Sequence, residues 1–287
     1  MNKHLFRMTG YLGAQESYTE AKAVLVGVPM DYTVSNRAGT RTGPQQIRTV
    51  SYALEPYSVY QDLSLEDICY YDAGDIMLPI GNVSESLSMI EKIAGQVFVD
   101  QKFPIFLGGE HLISFPLIKA CYERYPELVV LHFDAHADLR VQYFNESNSH
   151  ATVMQKVVKL LGKKRVYQFG IRSGIKEEFV YAREHTKMYV DEIFPALNDV
   201  IGELKGKPVY ITLDIDVVDP AYAPGTGTPE PGGCTSREIL AAVCAMKPLN
   251  VVGLDIVEVS PVYDDSEITS VLAAKLVREA LLAFVPK

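Results

Sequence analysis

The chain has 287 residues, of which 48% are hydrophobic and 22% are charged, a composition typical of a globular protein with a large core. A formal net charge of -9 at pH 7 argues against broad binding to nucleic acids or anionic membranes and suits a small cationic substrate. The four cysteines form no C-x-x-C pair and residues 1–17 contain no apolar signal-like stretch, so we expect a cytoplasmic protein with reduced thiols. No apolar run approaches the roughly 18 residues that a membrane helix needs.

Strands and helices are predicted to alternate along the whole chain. Apolar, β-branched runs predict strands at 23–28, 68–71, 104–107, 128–133, 165–171, 187–190, 208–213 and 250–256. Apolar periodicity and start signals predict helices at 45–54, 83–99, 111–123, 151–161, 191–204, 236–246 and 267–284. The alternation predicts an α/β fold with a mostly parallel sheet sandwiched by helices and right-handed crossovers. Polar residues after strands should therefore gather at one carboxyl edge, where ligands bind.

The loop after the first predicted strand, 29–44, is rich in Gly, Asn and Pro, and Pro44 is well placed to start the next helix. Such a loop either contacts a ligand or is a solvated connection. The sequence of this segment alone leaves both interpretations open.

The strand at 128–133 continues into Asp134-Ala135-His136-Ala137-Asp138. In an extended chain, this spacing places Asp134, His136 and Asp138 on one face. Two carboxylates and an imidazole cannot be buried together unless a cation compensates them. A divalent metal is the simplest cation, although ordinary ion pairing would also explain a single triplet.

Two further strands end in ligand-type side chains. The strand at 208–213 leads to Asp214 and Asp216, and the strand at 104–107 leads through Gly108-Gly109-Glu110 to His111. Together the candidate metal ligands are His111, Asp134, His136, Asp138, Asp214 and Asp216. Six ligands exceed the needs of one ion and suit two metals that share carboxylates, an arrangement that activates water. Four carboxylates and two imidazoles favour Mn²⁺ over Zn²⁺.

Other polar residues near these motifs have ordinary interpretations. Asp72 and Asp75 are candidate ligands but are expected instead to cap and turn the chain, and Asp219, which precedes a proline, is expected in a turn rather than as a ligand. His132 is expected to be a hydrogen-bonded core residue, and Glu110 is a candidate to support the histidine ligand beside it.

The motifs resemble those of a known family. Gly-Gly-Glu-His at 108–111, Asp-Ala-His-Ala-Asp at 134–138 and the Asp- and Gly-rich run at 213–233 are similar to the ureohydrolases, which include arginases, agmatinases and formimidoylglutamases. The similarity extends from about residue 23 to the C-terminus. Within the family, Ser-Asn-Arg at 35–37 and Gly-Ile-Arg-Ser at 170–173 are most similar to the agmatinases.

The resemblance implies an arginase-like, three-layer α/β/α sandwich with a mostly parallel sheet of about eight strands. Residues 1–287 would form a single ureohydrolase domain with two Mn²⁺ ions. The implied reaction is hydrolysis of a guanidinium to urea and an amine by a metal-bridging hydroxide. For agmatine the amine is putrescine, which places the reaction in polyamine synthesis. The family also implies a homo-oligomer, a trimer or a hexamer.

The resemblance further assigns roles to individual residues. One ion would be held by His111, Asp134, Asp138 and Asp214. The other would be held by Asp134, His136, Asp214 and Asp216, so that Asp134 and Asp214 bridge.

Three residues match catalytic positions of the family. Glu258 would orient the guanidinium through paired hydrogen bonds, although a Glu after a strand is also a common capping or surface residue. Asp138 would relay a proton to the departing amine, and His150 would exchange protons with solvent. Taken alone, His150 would be an ordinary residue at a helix start.

The loop 139–149 is expected to meet the substrate tail. Its candidate contacts are Tyr143, Phe144, Asn145 and Glu146. Glu146 is suited to pair with the ammonium of agmatine or to repel the carboxylate of arginine. If turned inward, Arg140, Ser147 or Asn148 would instead bind a carboxylate.

Three alternatives remain at this stage. In the first alternative, the substrate is another guanidino or formimino compound: arginine, aminopropylagmatine, guanidinobutyrate or formimidoylglutamate. A related deacetylase scaffold would use one zinc with an Asp-His-Asp set, which leaves His111, Asp138 and the Asp214–Asp216 pair in excess. A non-enzymatic member would be expected to lack ligands, and none of the six is missing.

Overall fold

A computed structural model describes residues 4–7 and 9–286, and in these residues a nine-stranded sheet forms the centre of the molecule. Its strands are β1 (Leu5–Phe6), β2 (Ala23–Val28), β5 (Tyr70–Ile76), β6 (Phe103–Gly108), β7 (Val129–Phe133), β8 (Val166–Ile171), β9 (Lys187–Val190), β10 (Pro208–Asp214) and β11 (Asn250–Val257). A small separate hairpin consists of β3 (Tyr57–Ser58) and β4 (Leu63–Ser64). The helices are α1 (Gly43–Ser51), α2 (Val83–Val99), α3 (Ser114–Arg124), α4 (Val153–Leu161), α5 (Lys176–His185), α6 (Ala196–Glu203), α7 (Ser236–Ala245) and α8 (Ile268–Phe284).

The strand order is β1-β5-β2-β6-β11-β10-β7-β8-β9, and all neighbouring strands are parallel except the antiparallel pair β1–β5. The predicted mostly parallel α/β sandwich is therefore confirmed, with each of the eight predicted strands present. The additional strand, β1, has two residues, too few to produce an apolar pattern. Helix α5 was also not predicted, because its sequence is dominated by charged residues.

Helices cover both faces of the sheet, because the strand side chains alternate between two apolar layers. Leu25, Ile105 and Leu107 pack into a core with α1, α6, α7 and α8. Val26 and Phe106 point to the other face and pack into a second core with α2, α3, α4 and α5. Within the described residues, none of the helices combines the length and apolar character needed to cross a bilayer.

The strand order determines where the site forms. The adjacent strands β6, β11, β10 and β7 are parallel, so their carboxyl ends share one edge of the sheet. Gly109 follows β6 at this edge, and a Cβ there would collide with the backbone of Met30. The absence of a side chain lets the two segments cross in contact, which brings the loop after β2 beside the loop after β6.

A buried ion triad attaches α1 to β5. Arg48, which is 1% exposed, donates from Nε to Asp72 Oδ2 at 2.8 Å and from Nη1 to Asp75 Oδ1 at 2.5 Å. The sequence predicted that Asp72 and Asp75 cap and turn the chain, but both lie within β5. The prediction was wrong for these two residues because their partner, Arg48, is distant in sequence.

Replacing Arg48 with Leu should lower the free energy of unfolding by about 3–5 kcal/mol, because it leaves the buried Asp72 carboxylate without its cation. Urea denaturation followed by circular dichroism measures the change. A matched control is Lys163→Leu, which removes a cation 3.9 Å from Glu184 on the exposed surface and should cost less than about 1 kcal/mol. An Arg48→Leu variant as stable as this control would contradict the role of the triad.

Candidate metal centre and cleft

The six predicted ligands meet at the carboxyl edge of the sheet. His111 begins the short 3-10 turn after β6, and Asp134, His136 and Asp138 lie in the segment directly after β7. Asp214 is the last residue of β10, and Asp216 lies in the turn that follows it. Five of the six are buried, and the side chain of His136 is 23% exposed.

Three carboxylates converge on one ring nitrogen of His111. Its Nδ1 lies 3.0 Å from Asp134 Oδ2 and 3.3 Å from both Asp138 Oδ2 and Asp214 Oδ2. Despite these short distances, Nδ1 is among the buried polar atoms that have no hydrogen-bond partner in the described residues. A nitrogen lone pair and three carboxylate oxygens that face one another in this way are satisfied by a cation between them.

The opposite nitrogen of the ring shows which form His111 adopts. Its Nε2 lies 3.0 Å from Thr212 Oγ1, and Thr212 Oγ1 donates its single proton to Asp255 Oδ1 at 2.7 Å. Thr212 must therefore accept from Nε2–H, which leaves the lone pair on Nδ1. Asp255 is held in place by further donation from the hydroxyls of Ser114 and Tyr210. We assign His111 to the tautomer that a metal ligand requires.

A second group of ligands adjoins the first through Asp134. His136 Nδ1 lies 2.9 Å from Asp216 Oδ2 and 3.5 Å from Asp134 Oδ1. Asp134 thus directs one oxygen to His111 and the other to His136. Asp214 contributes Oδ2 to the first group, and its Oδ1 accepts the backbone N–H of Asp216 at 2.9 Å.

His132 supports the cluster as a core residue, as expected from the sequence. Gln168 Nε2 lies 3.1 Å from its Nδ1, which accepts a hydrogen bond. Nε2–H of His132 then donates to Asp134 Oδ2 at 2.7 Å. Burial lowers the pKa of His132 and outweighs the nearby Asp134 carboxylate. His132 is therefore a neutral donor that orients Asp134.

The crowded carboxylates and imidazoles perturb one another's pKa values. Burial and then the neighbouring Asp134 raise the pKa of Asp138 to about 7. Burial and then Asp216 raise the pKa of Asp214 well above its usual range. Burial lowers the pKa of His136, but Asp216 and Asp134 outweigh it and raise the value to about 12. The four carboxylates of the cluster carry more negative charge than its two imidazoles can balance. A group of oxygen-rich ligands with such an excess of negative charge fits divalent cations.

His150 lies at the entrance to the cluster, at the start of the 3-10 turn before α4. Its Nδ1 lies 2.8 Å from the carbonyl oxygen of Thr33, and its backbone N–H donates to Thr33 Oγ1 at 3.1 Å. A carbonyl only accepts, so Nδ1 carries the proton and Nε2 is the basic nitrogen. Nε2 lies 3.3 Å from Ser35 Oγ. Burial lowers the pKa of His150 to about 4, so the ring is neutral near pH 7.

Thr33 is itself attached to the segment that carries the candidate ligand His111, a contact that the sequence patterns did not reveal. The carboxylate of the buried Glu110 accepts the backbone N–H groups of Tyr32 and Thr33 at 2.7 and 3.0 Å, as well as the Thr33 hydroxyl. Glu110 directly precedes His111, so the sequence expectation that Glu110 supports the site is consistent with this geometry. The polar composition of the loop after β2 was the only sequence signal near Thr33, and it did not single out this residue.

Glu258 follows β11 and is buried with a left-handed backbone, φ 64°. Its backbone N–H donates to Gly109 O at 2.9 Å, and its Oε1 accepts the backbone N–H of His111 at 2.7 Å. Burial raises the pKa of Glu258 to about 8. Among the described residues, the carboxylate forms no ion pair with a cationic side chain, so it is suited to a cationic group of a ligand.

A cleft of about 270 Å³ opens beside the ligand cluster, at His136, Asp138 and His150. Its lining includes Ser35, His136, Asp138, Tyr143, His150 and Glu230. The predicted contact Tyr143 forms part of the wall and packs edge-to-face with His150, with ring centroids 5.8 Å apart.

The other predicted tail residues lie at a turn beside the cleft. Tyr143 and Glu146 exchange backbone hydrogen bonds of 2.8 and 2.9 Å, and Phe144 and Asn145 between them have φ values of 47° and 65°. Asn145 and Glu146 are exposed, and neither belongs to the lining of the 270 Å³ cleft. Glu146 lines an adjacent groove of about 440 Å³, which shares Ser35 and Tyr143 with the cleft.

The sequence analysis also missed Arg172 and Glu230 as parts of the site. Arg172 donates to the backbone carbonyls of Asp216 and Glu230, both at 2.7 Å. It therefore connects a metal-ligand segment to the loop that carries Glu230. Arg172 and Glu230 had appeared only within the segments 170–173 and 213–233 that resemble the ureohydrolases, and neither had been given a role.

Comparison with known proteins places this geometry in context. The model of the arginase family matches residues 21–283. An agmatinase from Bacillus subtilis is 52% identical over 279 residues, which cover 96% of each chain. A guanidinobutyrase from Pseudomonas aeruginosa is 35% identical, over 90% of this chain and 85% of its own. The solved structure of an agmatine ureohydrolase of Thermoplasma volcanium superposes with a TM-score of 0.87 at 34% identity, over 97% and 94% of the two chains.

Thr212→Val should lower the affinity for divalent metal roughly 10- to 100-fold, because it removes the acceptor that holds His111 in its ligand tautomer. Titration of metal-free protein with Mn²⁺, followed by calorimetry, measures the change. Thr212→Ser retains the hydroxyl and serves as the matched control, with affinity close to that of the wild type. Equal metal affinities for the Val and Ser variants would show that the hydroxyl does not orient His111.

Proposed function

Since the chain belongs to the arginase family, we propose that it is an agmatinase, which hydrolyses agmatine to putrescine and urea in polyamine synthesis. The observation that carries the proposal is the buried carboxylate of Glu258 beside the ligand cluster, because a planar guanidinium pairs with a carboxylate through two parallel hydrogen bonds. The 52% identity to the B. subtilis agmatinase supports agmatine as the substrate.

We propose that the cluster binds two Mn²⁺ ions. One would be held by His111, Asp134, Asp138 and Asp214, and the other by Asp134, His136, Asp214 and Asp216. Asp134 directs Oδ2 to His111 and Oδ1 to His136, which supports a bridging role for this residue. The oxygen-rich ligand set favours Mn²⁺. When bound, the pair of ions supplies Lewis acidity and activates water at neutral pH.

The protein side chains perform the remaining tasks in this proposal. Glu258 orients the guanidinium so that its central carbon faces the cluster. Asp138 delivers a proton to the departing amine, which would be a poor leaving group without it. Neutral His150 accepts and releases protons at Nε2, since its Nδ1–H is engaged by Thr33. Asp138 and His150 line one cleft and Glu258 lies against the backbone of His111, so the entropic cost of bringing these groups together during the reaction is lowered.

The wall of the cleft supports a contact with the alkyl chain of agmatine. Tyr143 presents its ring at the cleft, and Asn145 and Glu146 lie on the turn beside it, so we retain all three as proposed tail contacts. Arg140, which would attract a carboxylate tail, already lies 3.5 Å from Glu178 and stacks over Tyr143. Because Arg140 is already paired with Glu178, it is less suited to bind the carboxylate of a guanidino acid. This favours agmatine over guanidinobutyrate, the substrate in the name of the related P. aeruginosa protein.

Three further properties belong to the proposal. We propose that residues 1–287 form one ureohydrolase domain, which the family match over 21–283 supports. Free cysteines in the structure agree with a reducing, cytoplasmic location. Exposed apolar side chains at Tyr57, Val59 and Tyr60 provide a surface for a homotrimer or homohexamer.

With Mn²⁺ added, the protein should release urea from agmatine, and its kcat/KM for agmatine should exceed that for arginine by at least about a hundredfold, because an uncompensated α-carboxylate in the cleft costs several kcal/mol. Chelation should abolish activity, and Mn²⁺ should restore it with two ions bound per chain. Full activity with one zinc, or a preference for arginine, would contradict the proposal.

His150→Ala should lower kcat roughly 10- to 1,000-fold, the usual contribution of a general acid–base group, without loss of bound metal. Steady-state urea release combined with metal analysis tests this expectation. His185→Ala is the control, because His185 stacks on Tyr181 in α5 and should retain wild-type turnover. An unchanged kcat for His150→Ala would move proton transfer to another residue, with Asp138 the next candidate.

A further inference from the structure

The cleft contains a carboxylate to which the proposed reaction assigns no task. Glu230 lines the cleft together with Ser35 and His150 and is half-buried. Its backbone carbonyl is occupied by Arg172. In the part of the chain that the structure describes, however, no hydrogen bond or ion pair is made by its carboxylate. A carboxylate in a cleft without a partner is a ready contact for a cationic ligand.

The backbone around Glu230 is firmly attached to the metal-bearing part of the molecule. The guanidinium of Arg172 donates to the carbonyls of Asp216 at 2.7 Å, Glu230 at 2.7 Å and Pro231 at 3.2 Å. On the far side of the loop, the carboxylate of Asp219 accepts the backbone N–H of Gly232 at 2.7 Å. Glu230 is therefore carried at a defined position relative to the ligand Asp216, although its loop contains no helix or strand.

The other charged groups of the cleft wall are already compensated. Glu178 accepts the backbone N–H groups of Leu139 and Ile175, each at 2.8 Å, and faces Arg140 at 3.5 Å. Asp138 belongs to the metal cluster. Among the described residues of the cleft wall, the carboxylate of Glu230 therefore remains without a compensating partner. Its negative charge attracts ammonium groups and repels carboxylates.

Glu230 also lies within reach of the group that would hold the guanidinium. A Cβ at Gly227 would be 3.8 Å from Glu258 Oε2, and Gly227 precedes Glu230 by three residues, a separation that spans at most about 10 Å. The backbone of Glu230 therefore lies at most about 10 Å from that of Gly227, which adjoins the Glu258 carboxylate, so the two carboxylates border the same region of the site. Two carboxylates so placed fit a molecule with a guanidinium at one end and an ammonium at the other.

We propose that Glu230 binds the distal ammonium of the substrate and thereby restricts the enzyme to guanidino compounds with a cationic tail. This inference rests on the proposed guanidine hydrolysis at the same site. It gives Glu230, rather than the exposed Glu146 on the neighbouring turn, the main part in distinguishing agmatine from guanidino acids. Uncharged alkylguanidines bind without this contact.

The test compares wild-type protein with Glu230→Gln, which keeps the shape of the side chain and removes its charge. The substrates are agmatine, 1-butylguanidine, which has an uncharged tail, and 4-guanidinobutyrate. For Glu230→Gln, kcat/KM for agmatine should fall about 10- to 100-fold, as expected for loss of a charged hydrogen bond. The loss should appear mainly in KM. The value for 1-butylguanidine should stay unchanged, and that for 4-guanidinobutyrate should rise.

Two matched variants control for nonspecific effects of charge removal. Glu177→Gln removes an exposed carboxylate from the first turn of α5 and should leave all three kcat/KM values unchanged. Glu146→Gln tests the competing position. If Glu146→Gln lowers kcat/KM for agmatine and Glu230→Gln does not, the tail is bound by Glu146 and the inference is overturned.

A binding measurement separates tail recognition from catalysis. Calorimetric titration with 1,4-diaminobutane should show weaker binding to Glu230→Gln than to the wild type, with equal metal content in both proteins. If the wild type hydrolyses agmatine but Glu230→Gln retains its kinetics and its affinity for the diamine, this inference alone fails. If Mn²⁺-loaded wild type hydrolyses none of the three guanidines, the proposed function fails together with it.

Discussion

The shared carboxylate of Asp134 is the contact on which the arrangement of the site depends. Its Oδ2 faces His111 and His132, and its Oδ1 faces His136. This sharing is possible because β7 lies beside β10, so that the residues after one strand meet those at the end of the other. Parallel strands in this order bring buried charges from distant segments together at one edge, where a cation can compensate them.

Neutral groups outside the cluster determine which nitrogen of each histidine is available. Thr212, itself held by Asp255, fixes the ring of His111, and the carbonyl of Thr33 fixes that of His150. In both rings, one nitrogen is engaged by the surrounding protein and the other faces the site. The rings of His111 and His150 are therefore oriented by the fold itself, which is what efficient catalysis requires of functional side chains.

The sequence predicted the parts of the site that are local in the chain. The alternation Asp134, His136, Asp138 follows directly from the two-residue period of an extended segment, and the structure brings these side chains together, as the motif predicted. Thr33 and Glu230 could not be found in this way, because each acts through contacts with segments more than 50 residues away. The two aspartates of β5 were misjudged for the same reason: a buried ion pair leaves no periodic signal at either of its partners.

The site also contains backbone conformations that the rest of the fold must stabilise. Asp138 and Glu258 both adopt left-handed conformations, with φ values of 53° and 64°, at a cost of order 1–3 kcal/mol each. Asp138 reaches back to His111 from such a turn, and Glu258 places its carboxylate against the backbone N–H of the same histidine. The apolar layers on both faces of the sheet offset this cost, because burying a single Leu or Ile side chain contributes about 1.5–3 kcal/mol. Left-handed backbone and concentrated negative charge thus coincide at the carboxyl edge, where the chain departs from regular structure and a cationic ligand can bind.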